Sequence, residues 1–180
     1  MEQVYDRAKK IKLLMMDVDG VLSDGRIYFI PGPNGEWTET KSFDTQDGLA
    51  LQWLKAKGIR TGVITGRNSP VVQLRAESVN MQYCYQGHLG KIPIIEEILK
   101  DYAPEEIAYI GDDFTDVVVF RRVGWGIATG NARSEVKQSA HYVTSAAGGH
   151  GAVREVTEIL LKTQGYWDEI LEQYEIGRDD

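Results

Sequence analysis

The stretch Lys12-Leu13-Leu14-Met15-Met16-Asp17-Val18-Asp19-Gly20-Val21-Leu22-Ser23-Asp24-Gly25 decides the fold. Leu13 to Met16 form an unbroken apolar run that stops at Asp17. Four apolar residues before a turn signal fit a strand buried on both faces of a parallel sheet. A core strand that ends in two carboxylates and a glycine conflicts with local packing, and such conflicts tend to mark functional sites. Ligands of open α/β sheets bind outside the carboxyl ends of the strands. Asp17 and Asp19 are therefore the first candidate site residues.

Their spacing has a physical use. In an extended chain Val18 points into the core and both carboxylates fall on one side. Neighbouring carboxylates repel, and one pKa rises unless a cation neutralises them. Mg2+ does this with oxygen ligands and keeps positions open for a phosphate. The plainer reading is an Asx turn after a strand, with Gly20 supplying the bend.

The remaining chain supplies further strand ends. Met1 to Lys12 reads as a short amphipathic helix. Residues 25–43 read as an inserted β-hairpin turning at Pro31-Gly32-Pro33-Asn34-Gly35. Asp47-Gly48 leads into a helix over 49–57. Strands over 60–64, 83–85, 107–110, 125–128 and 142–144 alternate with helices over 68–79, 92–102, 117–123, 131–139 and 152–164. This alternation predicts right-handed β-α-β units: an α/β, Rossmann-like parallel sheet with helices on both faces. The whole chain, 1–180, reads as one domain, and its tail, Asp168 to Asp180, is expected to be partly disordered or held by a partner chain.

The polar residues fall where the strands end: Asp17, Thr65, Lys91 shortly after the third strand, and Asp112. Thr65 and the N–H groups around Gly66 can take a phosphate oxygen. Lys91 can offset the clustered carboxylates, Asp112 can complete a metal site with Asp17 and Asp19, and Asp113 and Asp116 can support them from behind. Asp17 can attack phosphorus while Asp19 handles the proton. Taken singly, Thr65-Gly66 reads equally as a helix N-cap, Lys91 as a solvated lysine, and Asp112-Asp113 as capping acids. Their joint placement at consecutive strand ends favours the catalytic reading.

Bulk properties narrow the class. The chain has 180 residues, a net charge of -7 and a pI of about 5.0, which disfavours a nucleic-acid partner. A single cysteine, Cys84, allows no intramolecular disulfide and suits a reducing compartment. The N-terminus lacks a secretory pattern, and no window reaches the roughly 20 apolar residues that cross a bilayer. A cytoplasmic protein without a membrane partner is expected.

Asp17-Val18-Asp19-Gly20, Thr65, Lys91 and Gly111-Asp112-Asp113-x-x-Asp116 resemble, in order and spacing, the four motifs of the haloacid dehalogenase superfamily of phosphohydrolases. The stretch through Gly25, Thr65-Gly66-Arg67, Tyr85-Gln86-Gly87 and Gly148-Gly149-His150-Gly151-Ala152-Val153-Arg154-Glu155 narrow the resemblance to its capless branch acting on 3-deoxy-D-manno-octulosonate 8-phosphate. That resemblance implies a small hairpin instead of a cap domain and a Mg2+-dependent phosphomonoesterase of lipopolysaccharide precursor synthesis. It also implies a homotetramer in which a neighbouring chain closes the active site. Asp19, Asp44, Thr45, Gln46, Asp47, Gly48, Gly66, Arg67, Arg75 and Lys91 would then line the sugar-phosphate site. Arg67 follows the phosphate turn and can meet a carboxylate bidentately. Arg75 is placed two helical turns on, on a similar face, and otherwise reads as a surface arginine.

Three alternatives remain at this point: a phosphatase for a nine-carbon sugar acid 9-phosphate, a receiver-like phospho-acceptor module, and a non-catalytic interaction domain. Receivers carry the acidic pair first and a lone acceptor Asp on the third strand, the reverse of the order here. Deleting the chain after Leu161 is expected to lower substrate affinity more than stability.

Overall fold

The computed structural model describes residues 2–177. In chain order the elements are α1 (Glu2–Ala8), β1 (Leu13–Met16), a tight turn (Val18–Leu22), β2 (Tyr28–Pro31), β3 (Trp37–Thr40), α2 (Thr45–Ala56), β4 (Arg60–Ile64), α3 (Pro70–Ser78) and β5 (Tyr83–Tyr85). There follow α4 (Ile92–Ile98), a 3-10 turn (Pro104–Glu106), β6 (Ile107–Gly111), α5 (Phe114–Phe120), β7 (Trp125–Ala128), α6 (Ser134–Ser139), β8 (Tyr142–Val143), α7 (Ala152–Thr163) and α8 (Trp167–Gln173).

Six strands form one parallel sheet in the order β5-β4-β1-β6-β7-β8, and β2 and β3 form a separate antiparallel hairpin. Side chains alternate across the sheet, so β1 feeds both faces. Leu14 and Met16 pack with α1, α2, α7 and α8, whereas Leu13 and Met15 pack with α4, α5 and α6. All four are fully buried, which explains the unbroken apolar run. The expected doubly covered parallel sheet with an inserted hairpin is what the chain forms.

Helix starts differ from the sequence reading, and capping explains why. α2 begins at Thr45 because the Asp44 carboxylate accepts from the N–H groups of Gln46 and Asp47 at 2.6 and 3.2 Å. Asp47-Gly48 is thus the first turn of the helix rather than its approach. α5 likewise begins at Phe114, capped by Asp113, three residues before the expected start. α4 ends at Ile98, short of Tyr102, and α3 begins only at Pro70.

The C-terminal segment corrects a second expectation. Far from being loose, residues 167–173 form α8, with Ile170 buried in the core and Trp167 edge-on to Trp53 at 6.0 Å. Truncation after Leu161 would therefore remove core contacts, so its first effect is on stability. Residues 178–180 and Met1 lie outside the described residues.

A glycine loop ties α7 to the turn after β1. Glu155 accepts from the N–H groups of Ser145 and Ala146 and from the Tyr142 hydroxyl, at 2.9, 2.9 and 2.7 Å. Gly148 N–H donates to Asn131 Oδ1 at 2.8 Å, and Gly149 N–H to the Val21 carbonyl at 2.9 Å. Gly148 lies so close to Gly20 that any side chain would overlap the Gly20 carbonyl. Gly148→Ala is expected to destabilise the protein by about 1–3 kcal/mol through this overlap. Urea denaturation measures it, and an unchanged midpoint would mean the two loops separate without cost.

Candidate active site

Strand order reverses at β1. The chain runs outward through β4 and β5 on one side and through β6, β7 and β8 on the other. Such a switch point opens a crevice at the carboxyl ends of the central strands. Met16 pairs with Val63 and with Ile110, so Asp17 is level with Ile64 and Gly111. Thr65 and Asp112 each lie one residue further along their strands. The register thus brings Asp17, Thr65 and Asp112 to adjacent strand ends.

Lys91 reaches this crevice from the start of α4. Its ammonium is buried and uses three donors: to Asp17 Oδ2 at 2.6 Å, Asp116 Oδ1 at 2.6 Å and the Tyr109 hydroxyl at 2.9 Å. Tyr109 donates in turn to Asp116 Oδ1 at 2.9 Å. The other Asp116 oxygen accepts from the N–H groups of Asp112 and Asp113 at 2.9 and 3.1 Å. Asp116 is therefore fully committed to the protein, as a buried carboxylate must be.

Charge and burial set the protonation of the group. Burial pushes the Asp112 carboxyl up to about 7, and the Asp116, Asp17 and Asp113 carboxylates add to it. Asp17 is pushed up to about 6 by burial, against the pull of Lys91. Burial also lowers Lys91, but Asp116 and Asp17 outweigh it and hold the ammonium above the usual lysine range.

Carboxylate oxygens of Asp17, Asp112 and Asp116 lie within 4.8 Å of one another. This donor set fits a hard divalent cation. With Asp116 committed, Asp17 and Asp112 are the two that can offer lone pairs. No hydrogen bond to the Asp112 carboxylate occurs among the described residues. Gly20 permits the close approach: its φ is +82°, and a side chain there would overlap the Asp112 carboxylate.

Asp19 differs from expectation. Its carboxylate is not part of that cluster, because it pairs with Lys41 Nζ at 2.5 Å. The cause is the turn at Val18–Leu22, which takes the chain out of the extended form that would have set Asp17 and Asp19 side by side. Val18 is buried, as expected.

The other candidates divide in the same way. Thr65 is buried at the strand end, its hydroxyl accepting from Arg67 N–H at 3.4 Å, and Ser69 rather than Thr65 is the N-cap of α3. Gly66 follows it with Leu89 packed close over its Cα. Arg67 is exposed and pairs with Glu39 of β3 at 2.5 Å. Asp113 caps α5, accepting from Phe114 N–H at 2.7 Å, and its carboxylate makes no bond to Lys91.

Of residues 44–48, Thr45 and Gln46 are exposed, Asp44 is spent on its cap, and Asp47 is buried and accepts from Arg154 N–H at 2.7 Å. Burial pushes the Asp47 carboxyl up to about 6, against that N–H bond. Gly48 packs against the Arg75 guanidinium, which donates to the Asp44 carbonyl at 2.6 Å. Within one chain Asp44, Asp47, Gly48 and Arg75 therefore hold α2 in place. Because α3 starts after Arg67, Arg75 shares no helical face with it.

Residues 85–156 match the haloacid dehalogenase-like hydrolase family. The chain is 42% identical over 168 residues to a 3-deoxy-D-manno-octulosonate 8-phosphate phosphatase of Salmonella typhi, spanning 92% of this chain and 87% of that protein. It superposes on a probable phosphatase of Pseudomonas syringae with a TM-score of 0.91 at 40% identity, covering 99% and 100% of the two chains. The 3-deoxy-D-manno-octulosonate 8-phosphate phosphatase of Moraxella catarrhalis, solved with magnesium, phosphate and KDO, superposes with a TM-score of 0.90 at 41% identity, covering 97% and 99%. This chain belongs to that phosphatase family.

Two residues of this family member escaped the sequence reading. Tyr109 sits inside an apolar strand and reads as core. Lys41 sits at the end of a hairpin strand and reads as surface, and only its tertiary partner gives it meaning.

Raised carboxyl pKa values make this phosphatase-family fold sensitive to pH. An aspartate in the unfolded chain ionises at about 3.9, so Asp112 and Asp17 bind protons more tightly when folded. Their contribution is greatest at low pH and is lost as pH rises through about 6 to 7. In EDTA the melting temperature is expected to fall between pH 6.5 and pH 8, and Mg2+ is expected to restore it at pH 8. Asp112→Asn should melt higher than the unsubstituted protein at pH 8 in EDTA. Calorimetry across this range decides: a melting temperature indifferent to both pH and Mg2+ would refute a cluster destabilised by its own charge.

Proposed function

We propose that this chain hydrolyses 3-deoxy-D-manno-octulosonate 8-phosphate to the free sugar acid and phosphate through an aspartyl-phosphate, with Mg2+, in lipopolysaccharide precursor synthesis. The observation that carries this reading is the Lys91 ammonium held between Asp17 and Asp116, beside Asp112, at the switch point of the sheet. The 42% identity to a named 3-deoxy-D-manno-octulosonate 8-phosphate phosphatase supports the same substrate.

In this mechanism an Asp17 oxygen attacks phosphorus, the bond from phosphorus to the sugar oxygen breaks, and Asp19 gives that sugar oxygen the proton taken from water in the preceding turnover, carried on the carboxyl oxygen that Lys41 leaves free. Water then attacks the aspartyl-phosphate, Asp19 accepts the water's proton, and the bond from phosphorus to Asp17 breaks. Lys91 holds Asp17 in position and balances phosphoryl charge. Thr65 and the N–H of Gly66 take phosphate oxygens. Mg2+, held by Asp17 and Asp112, supplies positive charge to the phosphoryl oxygens. Asp116 and Tyr109 keep Lys91 in place, and Asp113 contributes as the cap of α5.

Arg67, exposed beside Thr65 and Gly66, is the cation to meet the sugar acid's carboxylate by exchanging its Glu39 partner, with Thr45 and Gln46 the exposed residues of α2's first turn. The nine-carbon alternative is not favoured, since the named relatives act on the eight-carbon acid. A homotetramer whose neighbouring chain closes the site is supported by two apolar surfaces. The hairpin exposes Phe29 and Trp37, and Leu89 and Phe114 stand exposed beside Gly66 and Asp113. A cytoplasmic location fits the single cysteine, and no helix among the described residues is long and apolar enough to cross a membrane.

Phosphate release with Mg2+ from the eight-carbon substrate, beside nine-carbon and hexose phosphates, tests the assignment. Strong preference for the first is expected, and an even spread would discard that substrate. Asp17→Asn is expected to fold normally by circular dichroism and to lose at least about a thousandfold in kcat. Turnover near that of the unsubstituted enzyme would remove Asp17 as nucleophile.

A further inference from the structure

We propose that Lys41 is the positioning residue of Asp19, so that the inserted hairpin carries part of the acid–base machinery. The inference rests on the phosphatase reading above. Lys41 follows β3 directly, and its side chain has no solvent exposure. Its ammonium lies 2.5 Å from Asp19 Oδ1 and 3.3 Å from Glu39 Oε1. Glu39 Oε2 in turn accepts from Arg67 at 2.5 Å. Among the described residues, Lys41 is the one hydrogen-bond partner of the Asp19 carboxylate.

Burial changes what this pair does. A surface lysine pairs weakly because its long stem loses freedom when the charge is held. Here the stem is already packed, so the ammonium is fixed before substrate arrives. Lysine is rarely buried unless paired, and this one is hydrogen-bonded to Asp19 and ion-paired with Glu39. Asp19 needs such a hold, because it stands in a kinked turn, at φ -75° and ψ 119°, followed by Gly20 at φ +82°. A proton donor contributes only when its oxygen is aligned with the leaving group. The two central aspartates are thus each held by their own lysine: Asp17 by Lys91 from α4, Asp19 by Lys41 from the hairpin.

A positioning role predicts a loss that depends on the leaving group. A sugar alkoxide must be protonated as it departs, whereas p-nitrophenolate leaves without a proton. The quantity to read is kcat/KM, which covers steps only through departure of the alcohol. For Lys41→Met it is expected to fall about 100-fold with 3-deoxy-D-manno-octulosonate 8-phosphate and less than about 5-fold with p-nitrophenyl phosphate. Lys41→Arg, which keeps the charge, should recover part of the difference. Calorimetry reports folding, and if Lys41→Met does not fold, Lys41→Gln is read the same way. Equal losses on both substrates, or no loss on either, would overturn the role of Lys41 while leaving the phosphatase reading intact. No phosphate release from either substrate by the unsubstituted enzyme would instead overturn that reading, and this inference with it.

Discussion

The buried ammonium of Lys91 is the interaction on which the site depends. It sits among Asp17, Asp116 and Tyr109, and each of its donors is used. Without it, three carboxylates within 4.8 Å would repel one another in a poorly hydrated crevice. Losing one partner of such a network typically costs about 3–5 kcal/mol, because the remaining charges are left uncompensated. Lys91 is also the geometric hinge of the set: it links the end of β1 to the first turn of α5, two elements that approach only through the sheet. Pairing of β1 with β6 and the placement of α5 against β6 therefore serve the same carboxylate cluster.

The turn after β1 is held from two sides. From one side Gly20 touches Asp112 so closely that no side chain fits between them. From the other, Gly148 packs on the Gly20 carbonyl, and Gly149 donates to Val21. The glycine loop is itself fixed by Glu155, Asn131 and, through the start of α7, by Asp47. The long route from α2 through Asp47 to α7 and back to Gly20 explains why residues far apart in sequence share one motif-like appearance. Within one chain, Asp47, Gly48 and the stretch Gly148 to Glu155 scaffold the turn.

These tertiary roles mark how far the sequence could be read. Strand ends were legible because a parallel sheet buried on both faces leaves unmistakable apolar runs, and Leu13–Met16, Ile107–Gly111 and Trp125–Ala128 fall where those runs stand. Convergence of Asp17, Thr65, Lys91 and Asp112 followed from topology alone. Helix starts were less legible, because an aspartate serves a cap and a catalytic crevice with the same side chain. Asp44 and Asp113 read as site residues but are occupied as caps. Lys41 and Tyr109 were illegible for another reason. Their roles come from partners 22 and 18 residues away in sequence, and no local pattern records such a pairing.

On the proposed mechanism, the separation of Asp17 from Asp19 is what allows two roles. Had the chain stayed extended, two adjacent carboxylates would have shared one environment and one cation, and neither would be specialised. The tight turn at Val18–Leu22 instead aims Asp17 toward Lys91 and Asp112 and Asp19 toward Lys41. A nucleophile needs a fixed, metal-facing oxygen, whereas an acid–base group needs to face the departing alcohol. A hairpin inserted just after Gly25 is well placed to supply the second support, because it leaves and re-enters beside the turn itself, where Ser23 and Phe43 are bridged. The insertion is too small to cover the site, but it is anchored where a single lysine can reach Asp19. Its apolar outer face, with Phe29 and Trp37 exposed, is then free to serve contacts elsewhere without disturbing that anchor.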